Sequence, residues 1–166
     1  LSVSSPVSAN AQGLRLREVS PDDIPLLHAA CWPETEPATT KARVENVLTW
    51  RRRGRALGIV ASWDGHPVGF GMLTYWNERG EISDLIVSGA WRGRGIGTAM
   101  ILYLLQLAQR QYLSVVEIGA TEDNQRALAL YRRLGFTDQY RIELDLGRGL
   151  EQVIYLARSV QEADSE

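Results

Sequence analysis

Seven consecutive residues, Arg92-Gly93-Arg94-Gly95-Ile96-Gly97-Thr98, place three glycines on alternate positions and hold two arginines. The apolar run "ILYLLQLA" (101–108) follows almost at once. The chemistry open to such a segment is anion binding. Glycines let successive backbone N–H groups crowd around one concavity. A helix start leaves further N–H groups unpaired and carries about half a positive charge. Arginines add charge at the rim, so the segment can grip a pyrophosphate without a metal. A tight strand-to-helix turn with solvated arginines would use the same residues. Two known phosphate motifs do not fit. A P-loop needs a lysine followed by Ser or Thr, and Lys41 is the only lysine in the chain. The Rossmann G-x-G-x-x-G spacing fails because the glycines fall at 93, 95 and 97, although Glu117 does lie further on in a predicted strand.

A second spaced set is Asn124, Ala127, Tyr131, Gly135 and Phe136. Asn124 and Tyr131 are two helical turns apart and share a face. A phenol of pKa about 10 can donate a proton to a leaving thiolate of similar basicity. The same tyrosine also lies in a stripe with Ala127, Leu130 and Leu134, which would suit core packing. Proton acceptors stand before the glycine segment: Glu81 and Asp84, six and three residues ahead of Val87. Strand alternation puts them on opposite faces, unless a bulge intervenes. Trp32, Glu34 and Glu36 join an aromatic to carboxylates, a combination suited to a cationic amine and equally to an exposed loop.

The elements that must position these residues follow from periodicity and punctuation. "LRLREV" (14–19) alternates as a strand. Ser20 and Pro21 open a helix whose Asp22 and Asp23 complement its positive end. Residues 39–54 predict a second helix with Val44, Val47, Leu48 and Arg51 on one face and Gly54 as its stop. Strands over 56–63 and 67–76 flank Asp64-Gly65, a hairpin signal. Residues 81–87 predict a strand, 97–110 a helix, 113–120 a strand, 124–135 a helix, and 136–146 and 151–160 two final strands. This order predicts an α+β mixed sheet covered by helices.

Composition sets limits. With a net charge of −2, the surface as a whole is not built for nucleic acid. The run Arg51-Arg52-Arg53-Gly54-Arg55 reads as cations at a helix C-terminus, without the interleaved aromatics of a nucleic-acid site. Cys31 is the only cysteine and His28 and His66 the only histidines, so no metal site is expected. One cysteine fits a reducing, cytoplasmic setting. Residues 1–13 and 161–166 are expected to be tails flanking one domain, 14–160. The Ser-rich start is a poor signal peptide and keeps organellar import open. No run approaches the ~20 apolar residues of a membrane span.

With these residues in view, the chain resembles the GNAT (Gcn5-related) N-acetyltransferases. Their cofactor motif, [Q/R]-x-x-G-x-[G/A], is matched by Arg92-Gly93-Arg94-Gly95-Ile96-Gly97, and their second signature by Asn124, Ala127, Tyr131, Gly135 and Phe136. The resemblance covers roughly residues 14–160 and is strongest from 81 to 136. It implies the GNAT fold, a mixed and mostly antiparallel sheet of about seven strands with helices on both faces. It implies acetyl-CoA as co-substrate and a small-molecule or peptide amine as acceptor, with no metal. It implies that Arg92–Thr98 hold the pyrophosphate and that Ile86 and Val87 offer backbone donors. Asn124 and Tyr131 would border the cofactor, with Tyr131 as the acid. Glu81 matches the base position of the histone-acetyltransferase branch. Asp84 matches an acidic position of the polyamine branch. Trp32, Glu34 and Glu36 fall where relatives build the acceptor pocket. The peptide-N-terminus branch keeps a glutamate five residues before the asparagine, a position held here by Gly119. Homodimers, common in that family, are left open. Two other classes also stay open: a non-catalytic CoA-binding regulatory module and a small Rossmann-like nucleotide-binding domain.

Overall fold

A computed structural model describes residues 13–161. Apart from Gly13 and Gln161, the two expected tails lie outside the described residues. Among the described residues, seven strands and four α-helices follow in the order β1 (Leu14–Glu18), α1 (Ile24–Cys31), α2 (Pro37–Arg52), β2 (Ala56–Trp63), β3 (His66–Trp76), β4 (Arg79–Val87), α3 (Ile96–Arg110), β5 (Val115–Thr121), α4 (Gln125–Arg133), β6 (Thr137–Asp145) and β7 (Leu150–Ser159). The strands hydrogen-bond in the order β1-β2-β3-β4-β5-β7-β6. The β4–β5 pair is parallel, and β1–β2, β5–β7 and β6–β7 are antiparallel. This is the expected α+β class with a mixed sheet, and it is not the parallel doubly wound sheet of a Rossmann-like domain.

The chain divides into two compact units, one of residues up to Met72 with Asp84–Tyr103, the other of Leu73–Ser83 with residues from Leu104 on. In the first unit, β1 pairs with β2 in the register Leu14↔Trp63 to Glu18↔Ile59. The turn after β2 is the expected hairpin: Asp64 (φ 47°) and Gly65 (φ 83°) are both left-handed, as a tight turn of this hand requires. The core joins Leu27 and Cys31 of α1, Val44 and Val47 of α2, Ala56 and Val60 of β2, and Phe70 of β3. These apolar positions recur at helical spacing, so each helix lays one stripe on the strands.

Three helix starts differ from the sequence reading. Residues 21–23 form a 3-10 turn, and the first α-helix begins at Ile24. The cause is Asp23, which turns inward, where it accepts both arms of Arg17 at 2.7 Å and the Ser20 amide at 2.9 Å. Burial pushes the Asp23 carboxyl up, but the Arg17 and Ser20 hydrogen bonds outweigh it and hold the group below its usual range. Helix α2 begins at Pro37, two residues early, because a proline at the first helical position forgoes only an N–H that would be unpaired there. Helix α3 begins at Ile96, whose buried side chain anchors the first turn.

In the second unit, β7 lies between β5 and β6, with Val115↔Ser159 to Thr121↔Val153 on one side and Thr137↔Ala157 to Asp145↔Leu150 on the other. Its core includes Ile82, Leu113, Val116, Ile118, Leu128, Phe136 and Leu156. Asn124 caps α4 by accepting the Ala127 amide at 3.2 Å. At the other end, Arg158 donates to the Leu134 carbonyl at 2.7 Å.

Candidate active site

The glycine segment lies in the first unit, between β4 and α3. A short 3-10 turn, Gly89–Trp91, follows β4. It is tied down by the Ser88 amide donating to the Val68 carbonyl at 2.7 Å. Gly93 and Gly95 are both left-handed, with φ of 78°. A Cβ at either would meet nothing within 4 Å, so the space beside them is open, and a side chain there would intrude on it. The Ala99 amide donates to the Gly95 carbonyl at 3.0 Å, which begins the α3 ladder at the loop itself. Arg92 turns back and donates to the Val87 carbonyl at 3.1 Å. Arg94 stacks over the Trp91 ring at 4.6 Å, and Trp91 packs on Trp63 at 5.4 Å. Both arginines are thus held by the loop's own neighbours while remaining exposed. Gly97 and Thr98 fall in the first turn of α3, where amides lack intrahelical partners.

Strand β4 carries the expected carboxylates and backbone donors. Asp84 has φ of 53° in the middle of the strand, a left-handed break in the extended backbone. The alternation that separates Glu81 from Asp84 is therefore interrupted between them and Val87. Within the first unit, Asp84 pairs with Arg43 of α2 at 3.1 Å. Arg43 in turn lies over the Trp32 ring at 4.8 Å, and Trp32 meets Phe70 edge-on at 5.5 Å. The indole expected to meet an amine is thus covered by a cation of the protein itself. Glu34 and Glu36 are exposed in the connection from α1 to α2.

In the second unit, Glu81 and Glu117 are direct partners in the parallel β4–β5 register. Glu117 accepts the Tyr140 hydroxyl at 3.0 Å and pairs with Arg79 at 3.1 Å. Tyr140 stacks on Tyr155 with centroids 5.1 Å apart. Burial, the Glu117 hydrogen bond and the charges of Glu117 and Glu81 push the Tyr140 phenol up to about 12. Burial and the same two carboxylates raise Tyr155. Gly119 lies two residues beyond Glu117 on the same face. A Cβ there would stand 3.0 Å from the Tyr155 ring, so the position that carries a glutamate in one branch of the resembling family is covered by an aromatic. Tyr131 is buried at 7% exposure and tilts against Phe136 at 6.4 Å. Burial raises its phenol pKa and keeps it protonated at neutral pH.

Sequence reasoning singles out neither Arg43, Tyr140 nor Tyr155, and takes Glu117 only as a failed ribose ligand. The one signal for Glu117 is a charge inside an otherwise apolar, β-branched strand. Among the described residues, no group of three or more His, Cys, Asp or Glu is placed to hold a metal ion. Among them too, no helix is long and apolar enough to cross a membrane.

Comparison with known proteins agrees with this geometry. The model of the acetyltransferase (GNAT) family matches residues 22–136. Streptothricin acetyltransferase of Streptomyces lavendulae is 30% identical over 78% of this chain and 66% of its own. An uncharacterised N-acetyltransferase of Methanocaldococcus jannaschii is 34% identical over 49% of this chain and 39% of its own. The chain thus spans well under half of one curated relative and about two thirds of the other. Among solved structures, the Salmonella typhimurium acetyltransferase that modifies the N-terminal serine of ribosomal protein L7/L12 superposes with a TM-score of 0.81 at 21% identity, covering 94% of this chain and 98% of that one. The yncA protein of the same organism, solved with acetyl-CoA, gives 0.71 at 20% identity, covering 93% and 98%. The structural likenesses show the shared fold, the sequence match covers the glycine segment and the Asn124–Phe136 signature together, and the chain belongs to the acetyltransferase (GNAT) family.

Proposed function

We propose that this chain moves an acetyl group from acetyl-CoA to a primary amine, by direct attack of the amine on the thioester in a ternary complex. The observation that carries the reading is the pair of left-handed glycines, Gly93 and Gly95, beside open space at the start of α3. Arg92 to Thr98 hold the pyrophosphate through backbone N–H groups, with Arg92 and Arg94 supplying charge. The backbone of Ile86 and Val87 provides donors for the pantetheine arm and for the oxygen on which negative charge develops. Asn124 fixes the helix that carries Tyr131, and both border the cofactor. The Tyr131 hydroxyl gives its proton to the departing thiolate, and its raised pKa keeps that proton in place at neutral pH.

Glu81 takes the proton lost by the attacking amine, directly or through a water. Its cross-strand neighbour Glu117 adds negative charge to the same face, which favours an ammonium over a neutral acceptor before proton loss. Glu34 and Glu36 extend acidic character at the connection ahead of α2. The acceptor is assigned by class, as a primary amine; the N-terminal serine named for the ribosomal relative is one. The reading invokes neither nucleic acid nor a membrane surface and places the protein in the cytoplasm, which suits a free buried thiol at Cys31.

Titration calorimetry with acetyl-CoA and with NAD tests the binding half. Acetyl-CoA binds and NAD does not, and Gly95→Val weakens acetyl-CoA by at least about tenfold, since it puts a β-branched side chain at a left-handed position and a Cβ into the open space. Equal affinity of wild type and Gly95→Val would remove the pyrophosphate role of the loop.

A further inference from the structure

The left-handed backbone of Asp84 is the feature of β4 that periodicity does not account for. Aspartate tolerates this region better than most residues, yet a non-glycine residue there in the middle of a strand needs its surroundings to hold it. The surroundings are visible. Past Asp84, the strand is pinned at its far end by the Ser88 amide on the Val68 carbonyl at 2.7 Å and by Arg92 on the Val87 carbonyl at 3.1 Å. The Ile86 carbonyl faces β3 so closely that a Cβ on Gly69 would stand 3.0 Å from it. At the near end, the side-chain ion pair of Asp84 is with Arg43 at 3.1 Å. Arg43 is itself held: its guanidinium lies over Trp32 at 4.8 Å, and Trp32 meets Phe70 edge-on at 5.5 Å. A planar cation can stack on an indole and pair with a carboxylate at once, which a lysine cannot reproduce.

We propose that Arg43 is a positioning residue, clamped on Trp32, that holds Asp84 left-handed and thereby sets the backbone of Leu85–Val87. The Asp84 carboxylate is then a handle for the left-handed turn of the strand, and the proton-accepting role stays with Glu81. The inference rests on the proposed function only for what Ile86 and Val87 donate to; the clamp itself is a property of the fold. It also explains why three residues far apart in sequence, at the end of α1, in α2 and in β4, are aligned in one contact chain.

Amide hydrogen exchange and acetyl-CoA calorimetry on wild type, Arg43→Gln, Asp84→Gly and the double variant test it. Glutamine keeps much of the side-chain stem but removes the charge and the stack. Exchange at Leu85–Val87 speeds by at least about tenfold in Arg43→Gln, while Leu57–Ala61 of β2 keep their protection. Acetyl-CoA affinity falls by about five- to tenfold in the same variant. Glycine adopts the left-handed region unaided, so adding Asp84→Gly to Arg43→Gln returns both readouts to within about threefold of wild type. Wild-type exchange at Leu85–Val87 in Arg43→Gln overturns the clamp. So does faster exchange throughout β2, which would make Arg43 simple packing. A double variant as perturbed as Arg43→Gln, or Asp84→Gly alone losing more than about tenfold in affinity, also overturns it. If wild type fails to bind acetyl-CoA, the proposed function falls, and the exchange data still decide the clamp.

Discussion

Glu81 and Glu117 stand side by side on adjacent parallel strands, and Glu117 pairs with Arg79 at 3.1 Å and accepts the Tyr140 hydroxyl at 3.0 Å. Glu117 is held on a strand face beside two stacked tyrosines, and the proposed function assigns the proton-accepting role to Glu81. Glu81→Gln lowers kcat/KM by about 10²-fold at neutral pH and by less at high pH, where the amine loses its proton unaided. Glu117→Gln costs less than about tenfold and leaves the shape of the pH profile alone. A wild-type pH–rate profile in Glu81→Gln would take the base away from this strand.

Gly119 and Tyr155 give a second prediction. A side chain at Gly119 has to displace an aromatic ring at 3.0 Å. Gly119→Glu therefore installs no working base and destabilises the fold by about 1–3 kcal/mol. Shortening the ring in the same molecule, with Tyr155→Ala, removes the collision, so the two changes are less than additive in thermal melts. Strict additivity would mean that the ring yields freely.

Asp23 and Arg17 set an acid limb. The Asp23 pKa is depressed in the folded state, so its contribution is fully present above the ordinary carboxylate range and is lost as pH falls through the depressed value. Asp23→Ala also orphans the Ser20 amide and costs about 1–3 kcal/mol at pH 7. Urea titrations from pH 7 down to pH 2 show the wild-type stability converging on that of the variant. A constant gap across that range would contradict the assignment.

The acid step proposed for Tyr131 gives a further prediction. Tyr131→Phe keeps the ring against Phe136 and loses the hydroxyl, and the expected cost is about 10²–10⁴ in the single-turnover rate. Because burial raises the phenol pKa, wild type shows no loss of rate from Tyr131 ionisation until the pH passes the ordinary phenol value of about 10. A single-turnover rate within about threefold of wild type would make Tyr131 a packing residue.

Much of this arrangement was legible in the residues. Asp64-Gly65 announces its hairpin because few residues other than Asn, Asp and Gly tolerate left-handed turns. The alternate glycines before an apolar run announce a backbone-lined loop, and Asn124 with Gly135 brackets α4. What stayed hidden depends on contacts that no local pattern encodes. Arg43 reads as one more solvated helix cation, since its partners Trp32 and Asp84 sit in other elements. The Glu81↔Glu117 pairing is set by a parallel register across the α3 crossover, and crossovers leave register unmarked in sequence. Asp23 reads as a helix-dipole carboxylate, and only the strand that brings Arg17 to it turns it inward.

The central claim is acetyl transfer, and thiol release from acetyl-CoA with a panel of primary amines tests it most directly. The protein's own Cys31 is buried and its thiol is pushed up to about 11, so it contributes little to a thiol-reagent signal at neutral pH. The account predicts release that depends on an amine, with one acetyl group gained by that amine in the mass spectrum, and loss of both in Tyr131→Phe. Tight acetyl-CoA binding with no amine-dependent release, for peptide, amino-acid, polyamine and antibiotic amines alike, would contradict it and make the chain a CoA-binding module.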